Sequence, residues 1–254
     1  MILIKLGGSA FSDKSRPLSF NEEAVRNLAL LIKHHGITPI LIHGGGSFAH
    51  PVAKAYGLDK GIRDDAQLIG VSLTSLMLSL LNEKIVSAFS KLGLPTYTIR
   101  TGAVFTRTLS GLRISSDAVD LVNRLVKMGI IPVFYGDVIY DHELGFSILS
   151  GDEIMVELAK WLKPKYALFL MDVEGVYTKG PRVGELIKVF KPSTQVSYSV
   201  GGVDATGGLM GKLKHAFKLA EIGVETYLCS VMDSESISLI LTGKEPKRCT
   251  RIEA

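Results

Sequence analysis

The chain is poor in cysteine and has no large excess of either charge. Its 254 residues include two cysteines, Cys229 and Cys249, which are not in a C-x-x-C spacing and have no histidine cluster beside them. This usage predicts a reducing, cytoplasmic environment, with neither a zinc site nor a disulfide framework. The formal net charge is only +4. Because there is also no Lys/Arg run and no aromatic-basic repeat, we expect no nucleic-acid partner.

Long uninterrupted apolar runs are also absent from the sequence. The N-terminal segment MILIKLGG contains an apolar run that is too short for a secretory signal. The longest apolar stretch, roughly Leu68–Phe89, is interrupted by Ser, Thr, Asn, Glu and Lys, and this mixture argues against a membrane span. We therefore expect a soluble protein with no membrane partner.

Strand-like apolar runs alternate with helical patterns along the chain. A mostly parallel sheet covered by helices on both faces is the arrangement that such alternation favours. Pro164 lies between a predicted helix and a predicted strand, and we place a division there between an N-terminal lobe, residues 1–163, and a C-terminal lobe, residues 164–254. The predicted strands are Met1–Leu6, Ile37–Ile42, Thr96–Arg100, Ile130–Tyr135, Tyr166–Met171 and Val224–Cys229, with a hairpin at Val138–Tyr140 and Phe146–Leu149. The predicted helices are Phe20–His35, Ala66–Lys91, Ala118–Met128, Glu153–Leu162 and Leu209–Ile222.

Glycine-rich or polar segments follow five of the predicted strands. They are KLGGS (Lys5–Ser9), HGGGS (His43–Ser47), YGD (Tyr135–Asp137), SGD (Ser150–Asp152) and MDVEG (Met171–Gly175). The carboxyl ends of parallel strands lie at one edge of the sheet, where ligands bind in such folds. Glycine allows backbone N–H groups to approach an anion closely, so the first two segments predict a phosphate site.

Three known nucleotide-binding motifs have glycine-rich segments similar to these loops. The segment TGGLMGKL differs from a Walker A loop at its first and last positions, and the H-R-D and D-F-G motifs of protein kinases are absent. Gly44–Ala49 does satisfy G-x-G-x-x-A after a strand, and Asp64 and Asp65 follow about twenty residues on, as in dinucleotide-binding proteins. Spacing alone does not exclude that alternative, but it leaves KLGGS and the late lysine segment without a role.

Three lysines and one aspartate lie in or near these loops. Phosphoryl transfer depends mainly on positive charge placed around the oxygens of the moving group. Lys5 ends the first strand, Lys14 lies in the loop FSDKSRP, and Lys212 lies near the start of a helix in DATGGLMGKLKHA. Lys14 alone is also compatible with a solvated loop charge, and Lys212 with an ordinary helix residue. Asp152 is either a helix N-cap or a carboxylate that holds two lysines apart.

Together, the segments KLGGSAFSDK, IHGGGSFAH, LSGDEIMVELA, LMDVEGVY and DATGGLMGKLKHA resemble the amino acid kinase family, in order and across nearly the whole chain. Within that family, the loop lysine and the histidine of GGGSFAH are most similar to members that phosphorylate isopentenyl phosphate. The resemblance implies an αβα sandwich with a central, mostly parallel sheet, ATP and Mg²⁺ as cofactors, and a homodimer. One small departure is Leu209, where the family usually has methionine.

The resemblance also implies roles for individual residues. Lys5, Gly7, Gly8 and Ser9 match the first phosphate loop, and Gly44, Gly45 and Gly46 match the second. Lys14 matches a lysine that stabilises the transition state, and Asp152 matches the aspartate that organises the lysines. Asp172, Gly175, Gly207 and Lys212 match nucleotide-side positions, as does Gly46. The glycines assigned to the acceptor are Gly44, Gly45, Gly46, Gly136 and Gly151. His50 matches a histidine that holds the phosphate of the acceptor.

The expected reaction is phosphorylation of isopentenyl phosphate, an isoprenoid monophosphate, by ATP. A phosphate monoester is already largely a dianion at neutral pH, so the acceptor needs no general base, and none is evident in the sequence. The helix Ala66–Lys91 is a candidate wall for the apolar tail. The alternatives are a sibling kinase for another small acid, such as fosfomycin or an amino acid, a non-catalytic nucleotide sensor, and a dinucleotide-dependent oxidoreductase.

Overall fold

Strands and helices alternate along residues 1–13, 15–196 and 208–254, which are the parts of the chain that this computed structural model describes. The strands are β1 (Ile2–Leu6), β2 (Ile40–His43), β3 (Thr96–Thr98), β4 (Phe105–Thr108), β5 (Gly111–Ile114), β6 (Ile131–Tyr135), β7 (Asp137–Asp141), β8 (Gly145–Leu149), β9 (Tyr166–Met171), β10 (Val189–Phe190), β11 (Glu225–Ser230) and β12 (Cys249–Ile252). The helices are α1 (Gly8–Phe11), α2 (Glu22–His35), α3 (Gly46–Ala55), α4 (Asp65–Ser90), α5 (Thr101–Val104), α6 (Ser116–Lys127), α7 (Gly151–Leu162), α8 (Gly208–Glu221) and α9 (Ser234–Leu241).

A sheet with the strand order β10-β12-β11-β9-β1-β2-β6-β3 forms the centre of the fold. All neighbours in it are parallel except β11 and β12. A smaller sheet, with the order β5-β4-β7-β8, contains the predicted hairpin as β7 and β8. The prediction of a mostly parallel central sheet is therefore confirmed, and the carboxyl ends of β9, β1, β2 and β6 lie side by side.

Helices cover both faces of the central sheet. Successive strand residues point to opposite faces, and each face has its own apolar core. Leu3, Ile42 and Phe169 belong to the core that includes residues of α6, α7 and α8, whereas Ile4, Leu41 and Leu168 belong to the core that includes residues of α2, α4 and α9. All six of these strand side chains are buried. This is the three-layer αβα arrangement predicted from the sequence.

The ends of the predicted helices agree with local capping chemistry. Asn21 caps α2, accepting a hydrogen bond from Ala24 N, and Gly36 ends that helix in the left-handed conformation. Asp64 caps α4 in a reciprocal capping box with Gln67. Two short helices, α1 and α3, begin inside the glycine segments and were not predicted, and neither were the β4–β5 hairpin, α9 and β12.

The two cysteines form a disulfide, so the expectation of unpaired cysteines is wrong. Cys229 of β11 lies directly opposite Cys249 of β12, with their Cα atoms 4.6 Å apart. Directly opposite residues in an antiparallel pair approach this closely when they are not hydrogen-bonded to each other. The pattern of residues 249–252 did not predict a strand, so nothing in the sequence placed the two cysteines side by side. The reducing environment inferred from them loses its support.

We expect removal of this disulfide to lower the free energy of unfolding by about 3 kcal/mol, because it closes a loop of about twenty residues and restricts the unfolded chain. Urea unfolding of the wild type and of Cys229→Ala/Cys249→Ala measures the difference. In the double variant, dithiothreitol should change nothing further. Two alkylatable thiols in wild-type protein denatured without reductant would contradict the pairing.

Helix α4 combines length with few charges. Among the described residues it is the one helix long and apolar enough to cross a membrane by length and composition. One of its faces, which includes Thr74, Leu78 and Leu81, is buried in the fold, so α4 also has the character of a core helix. Its opposite face is exposed.

Candidate active site

Four backbone loops meet at the carboxyl edge of the central sheet. The first glycine loop is hydrogen-bonded to β9, because Gly7 N–H donates to Leu170 O (2.9 Å). The second is tied to β1, because Gly44 N–H donates to Leu6 O (3.2 Å). Gly136, after β6, donates to the carbonyl of His43 (2.9 Å). The loops predicted from the sequence are therefore adjacent in space and in the same order as their strands.

The N-terminus of α7 brings a fourth loop to the same place. Ser150 is the N-cap of α7 and forms a capping box with Glu153. Asp152 therefore lies inside the first turn, and the alternative that it is the N-cap is wrong. An added Cβ on Gly151 would lie 2.8 Å from Lys5 Cε. Glycine at this position thus leaves room for the Lys5 side chain to cross the helix end.

Lys5 and Asp152 form a buried ion pair. Lys5 Nζ lies 2.8 Å from Asp152 Oδ1, and both side chains are less than a tenth exposed. Burial by itself would raise the pKa of Asp152, but the positive charges of Lys5 and then of Lys212 lower it to about 2. Asp152 is therefore ionised at neutral pH, and both Lys5 and Lys212 act electrostatically on its carboxylate.

Helix α8 contributes positive charge to the same carboxylate. Lys212 lies near the start of α8 and is partly buried. His215, three residues further on, also lowers the pKa of Asp152, and its Nδ1 lies 2.7 Å from Gly211 O. His215 was not among the residues predicted from the sequence. The sequence feature that could have identified it is its i, i+3 spacing from Lys212, which places both residues on one side of a helix.

His50 lies against the second glycine loop. It belongs to α3, which begins at Gly46, directly after Gly44 and Gly45. An added Cβ on Gly45 would lie 3.2 Å from the His50 ring, at Cδ2. The half-buried His50 side chain thus borders the loop that the sequence predicts to contact the acceptor.

Ser12 joins the two glycine loops and was not predicted. Its Oγ donates to Gly8 O (2.8 Å) and accepts from Ser47 N–H (3.1 Å). These two bonds hold α1 and α3 together, so the two predicted phosphate loops are fixed relative to each other. Ser9, predicted beside them, lies in α1.

The predicted nucleotide side lies at the ends of β9 and α8. A cleft of about 660 Å³ opens beside the first glycine loop, and Ser9, Ser12, Asp13, Arg16, Phe20 and Asp172 are among the residues that line it. Asp172 O accepts a hydrogen bond from Arg182, and Gly175 packs against Thr250.

Two of the predicted site residues, Lys14 and Gly207, lie outside the described residues. Within the described ranges, no group of three or more His, Cys, Asp or Glu side chains could hold a metal ion.

The fold and the arrangement of these loops are those of a known class. The model of the amino acid kinase family matches residues 1–230, and the chain belongs to that family. More particularly, it is similar to isopentenyl phosphate kinases. It is 32% identical to that of Methanothermobacter thermautotrophicus, over 99% of this chain and 98% of the relative. It is 31% identical to that of Thermoplasma acidophilum, over 86% of each. An X-ray structure of isopentenyl phosphate kinase superimposes with a TM-score of 0.83 at 29% identity, covering 99% of both chains.

Proposed function

We propose that this protein is a kinase that transfers the γ-phosphate of ATP to isopentenyl phosphate. The observation that carries the proposal is the full-length similarity to isopentenyl phosphate kinases, combined with the buried Lys5–Asp152 pair at the junction of the glycine loops. A phosphate oxygen of the acceptor attacks the γ-phosphorus, and the bond from that phosphorus to the β,γ-bridging oxygen breaks. The products are isopentenyl diphosphate and ADP.

The main barrier to this reaction is repulsion between two polyanions. Lys5 and Lys212, with Lys14 as predicted from the sequence, would supply positive charge around the moving group, and backbone N–H groups of the glycine loops would supply hydrogen bonds. Asp152 would keep the lysines at fixed positions. No proton needs to leave the acceptor, because a phosphate monoester loses its second proton with a pKa near 6.

The nucleotide is assigned to the side of residues 164–254, and the acceptor to the side of residues 1–163. Asp172, Gly175, Gly207 and Lys212 are the nucleotide-side candidates, with Gly136 and Gly151 on the acceptor side. Mg²⁺ would bind mainly through the phosphate oxygens of ATP and water with one or two carboxylates, as is usual for this ion, and it would neutralise phosphate charge. Because the reaction consumes ATP, we place the enzyme in the cytoplasm.

The test is ADP release in the presence of Mg-ATP and a panel of acceptors. The panel contains isopentenyl phosphate, fosfomycin, acetylglutamate, aspartate and UMP. We expect turnover with isopentenyl phosphate to exceed the others by at least about a hundredfold in kcat/KM, since a site shaped for one acceptor leaves polar groups unpaired with another. Preferred turnover of another acid would indicate a sibling kinase, and tight ATP binding without any turnover would indicate a sensor.

His50 is the residue proposed to bind the acceptor phosphate. We expect His50→Ala to raise KM for isopentenyl phosphate by about tenfold or more, because it removes a hydrogen bond to a charged group. His50→Gln, which keeps a donor, should have a smaller effect, and KM for ATP should change little in both. Wild-type kcat and KM for the acceptor in both variants would show that His50 has no such role.

We also propose that the protein is a homodimer in which the outer face of α4 is the interface. Ile69, Leu73, Leu76 and Leu80 are 36% to 57% exposed on that face. No charged residue lies between Asp65 and Glu83 in the sequence. A contiguous apolar face of this kind marks an interaction surface.

The pattern of this face favours a second copy of the same chain. The four apolar residues are spaced by four, three and four positions, so the series is the same in either direction. An interface with two-fold symmetry needs such self-complementarity. An antiparallel contact centred between residues 74 and 75 also places an acidic residue opposite a basic one at each end. The facing pairs would be Asp65 with Lys84, Ile69 with Leu80, and Leu73 with Leu76.

This register predicts a charge rescue. We expect Leu76→Glu and Leu73→Lys each to weaken dimerisation by at least about a hundredfold, because each buries an unpaired charge. The double variant Leu73→Lys/Leu76→Glu should recover much of the lost dimer affinity, since the two new charges face each other across the two-fold axis. Sedimentation equilibrium measures the effect, with Leu109→Glu, at a position that is 81% exposed, as the matched control. A wild-type monomer, or a wild type that partitions onto phospholipid vesicles, would contradict the dimer.

A further inference from the structure

The side chain of His43 lies beneath the second glycine loop and takes no part in the proposed reaction. It is fully buried at the end of β2. Its ring stacks on Tyr135, with 5.4 Å between centroids, and meets the edge of Phe11 at 6.3 Å. Its Nδ1 lies 3.0 Å from the carbonyl oxygen of Gly44, the first residue of the loop.

The protonation of His43 follows from its surroundings. Burial lowers its pKa to about 4, and the nearby positive charge of Lys5 acts in the same direction. The ring is therefore neutral at physiological pH and has one N–H group. A carbonyl oxygen only accepts hydrogen bonds, so the contact with Gly44 places that hydrogen on Nδ1.

The amide of Asn82 then completes a chain of hydrogen bonds. With Nδ1 protonated, Nε2 of His43 is an acceptor. The Asn82 atom placed 3.3 Å from Nε2 is Oδ1, which cannot donate to an acceptor. The oxygen and nitrogen of a side-chain amide exchange places by a half-turn, so we assign Asn82 the opposite orientation, with its NH₂ group facing the ring. In that orientation the amide oxygen takes the position of Nδ2, 2.9 Å from the Thr98 hydroxyl, which can then donate to it. Asn82 belongs to α4 and Thr98 to β3, so these bonds join the ring to two neighbouring elements.

The bond from His43 fixes the direction of one loop peptide. The Gly44–Gly45 peptide is trans, and in a trans peptide the C=O and N–H groups point in opposite directions. Because Gly44 O points toward the buried ring, the N–H of Gly45 points in the opposite direction, away from that ring. The groups on either side are held by other bonds, because Gly44 N–H donates to Leu6 O and Gly45 O accepts from Phe48 N–H and Ala49 N–H. The bond from His43 adds an anchor for the carbonyl of the peptide between them, where glycine would otherwise allow more than one orientation.

We propose that His43 is a positioning residue that aims the N–H group of Gly45 at the phosphate groups of the bound substrates. This role rests on the proposed kinase function. His43 itself contacts no substrate, and it acts through the Gly44 carbonyl. The orientation of the imidazole is set in turn by Asn82 and by the stack on Tyr135, so the loop is aligned before any ligand binds.

Three substitutions of His43 distinguish the effect of losing the hydrogen bond to Gly44 from the effect of losing the packing of the ring. The amide NH₂ of an asparagine occupies nearly the place of Nδ1, so His43→Asn keeps the donor to Gly44. His43→Gln reaches toward Asn82 but lacks that donor, and His43→Leu fills space with neither. We expect kcat to fall by about 10- to 100-fold in the Gln and Leu variants, because small misplacements of a phosphate donor are costly. The Asn variant should stay within about threefold of the wild type.

Hydrogen exchange provides a readout that does not depend on the substrate. Measured by mass spectrometry without ligands, the peptide that contains residues 44–49 should exchange faster in the Gln and Leu variants than in the wild type and His43→Asn. The melting temperature of each variant is measured beside it. Equal loss of activity in Asn and Leu, unchanged exchange in Leu, or activity that follows melting temperature rather than the donor would overturn the proposal. A wild type that is inactive with every acceptor of the panel would contradict the proposed kinase function. The exchange measurement would still test whether His43 holds the loop in place.

Discussion

Replacing Asp152 with asparagine is expected to lower kcat by a hundred- to a thousandfold. The carboxylate lies 2.8 Å from Lys5 Nζ in a buried pair, and its pKa is also lowered by Lys212. An amide of the same shape would leave the two ammonium groups without the charge that holds them in place. Loss of one preorganised group in such a site typically costs this much in rate. Steady-state kinetics with isopentenyl phosphate and Mg-ATP would measure it.

Unfolding free energies of variants at Lys5 and Asp152 measure how strongly the two charges are coupled. Lys5→Met removes the nearest positive partner of a buried carboxylate, which costs up to about 3–5 kcal/mol, whereas removal of both charges costs less than the sum of the two single changes. The exposed pair between Lys91 and Glu22, at 3.0 Å, is the matched control, and Lys91→Met should cost less than about 1 kcal/mol. Additive free energies for Lys5→Met and Asp152→Asn, or wild-type kcat in Asp152→Asn, would contradict the coupling.

The stability of the Lys5–Asp152 pair also has a defined pH dependence. The pKa of Asp152 in the folded protein is about 2, below its ordinary value of 3.8. A carboxyl group whose pKa is lowered by folding stabilises the fold at pH values above its unfolded pKa. That contribution is lost as the pH falls from about 4 toward 2, and Asp152→Asn should lose less stability than the wild type over this interval.

The sequence predicted the edge of the sheet where the site lies, because that edge depends on local patterns. Apolar runs such as Tyr166–Met171 are fully buried strands, and a glycine directly after a strand leaves few alternatives to a loop at its carboxyl end. Parallel pairing then brings these loops together, whatever the distance between them along the chain. The pairing of Lys5 with Asp152 follows from the same geometry.

Features that depend on tertiary neighbours could not be predicted in this way. The disulfide needs β12, a four-residue strand whose partner is set by the sheet rather than by its own pattern. The helices α1 and α3 begin at Gly8 and Gly46. A glycine directly after a strand usually indicates a turn, so the sequence did not predict a helix there. His43 was identified from the sequence only as the first residue of the HGGGS segment, and its contact with Asn82 depends on how α4 packs. The capping box of Ser150 and Glu153, by contrast, was readable as an S-x-x-E pattern and was overlooked.

Gly175→Ala is expected to impair nucleotide binding and stability together. Gly175 follows β9 on the proposed nucleotide side, and an added Cβ would lie 2.2 Å from Thr250 Oγ1 and 3.0 Å from the backbone nitrogen of Thr250. That hydroxyl accepts from Val176 N–H (2.9 Å) and donates to Ile187 O (2.7 Å). It therefore has no freedom to move aside. We expect a loss of about 1–3 kcal/mol in unfolding free energy, as for other overpacked sites, with KM for ATP raised by about tenfold.

A second substitution tests whether the overlap with Thr250 is the cause. Thr250→Ala removes the closest atom, so the double variant Gly175→Ala/Thr250→Ala should be more stable than the sum of the single effects predicts. KM for ATP should recover in part, because the loop can return toward its original position, whereas KM for isopentenyl phosphate should stay nearly constant throughout. If stability falls while KM for ATP remains at the wild-type value, Gly175 holds β9 and β12 together but does not shape the nucleotide site.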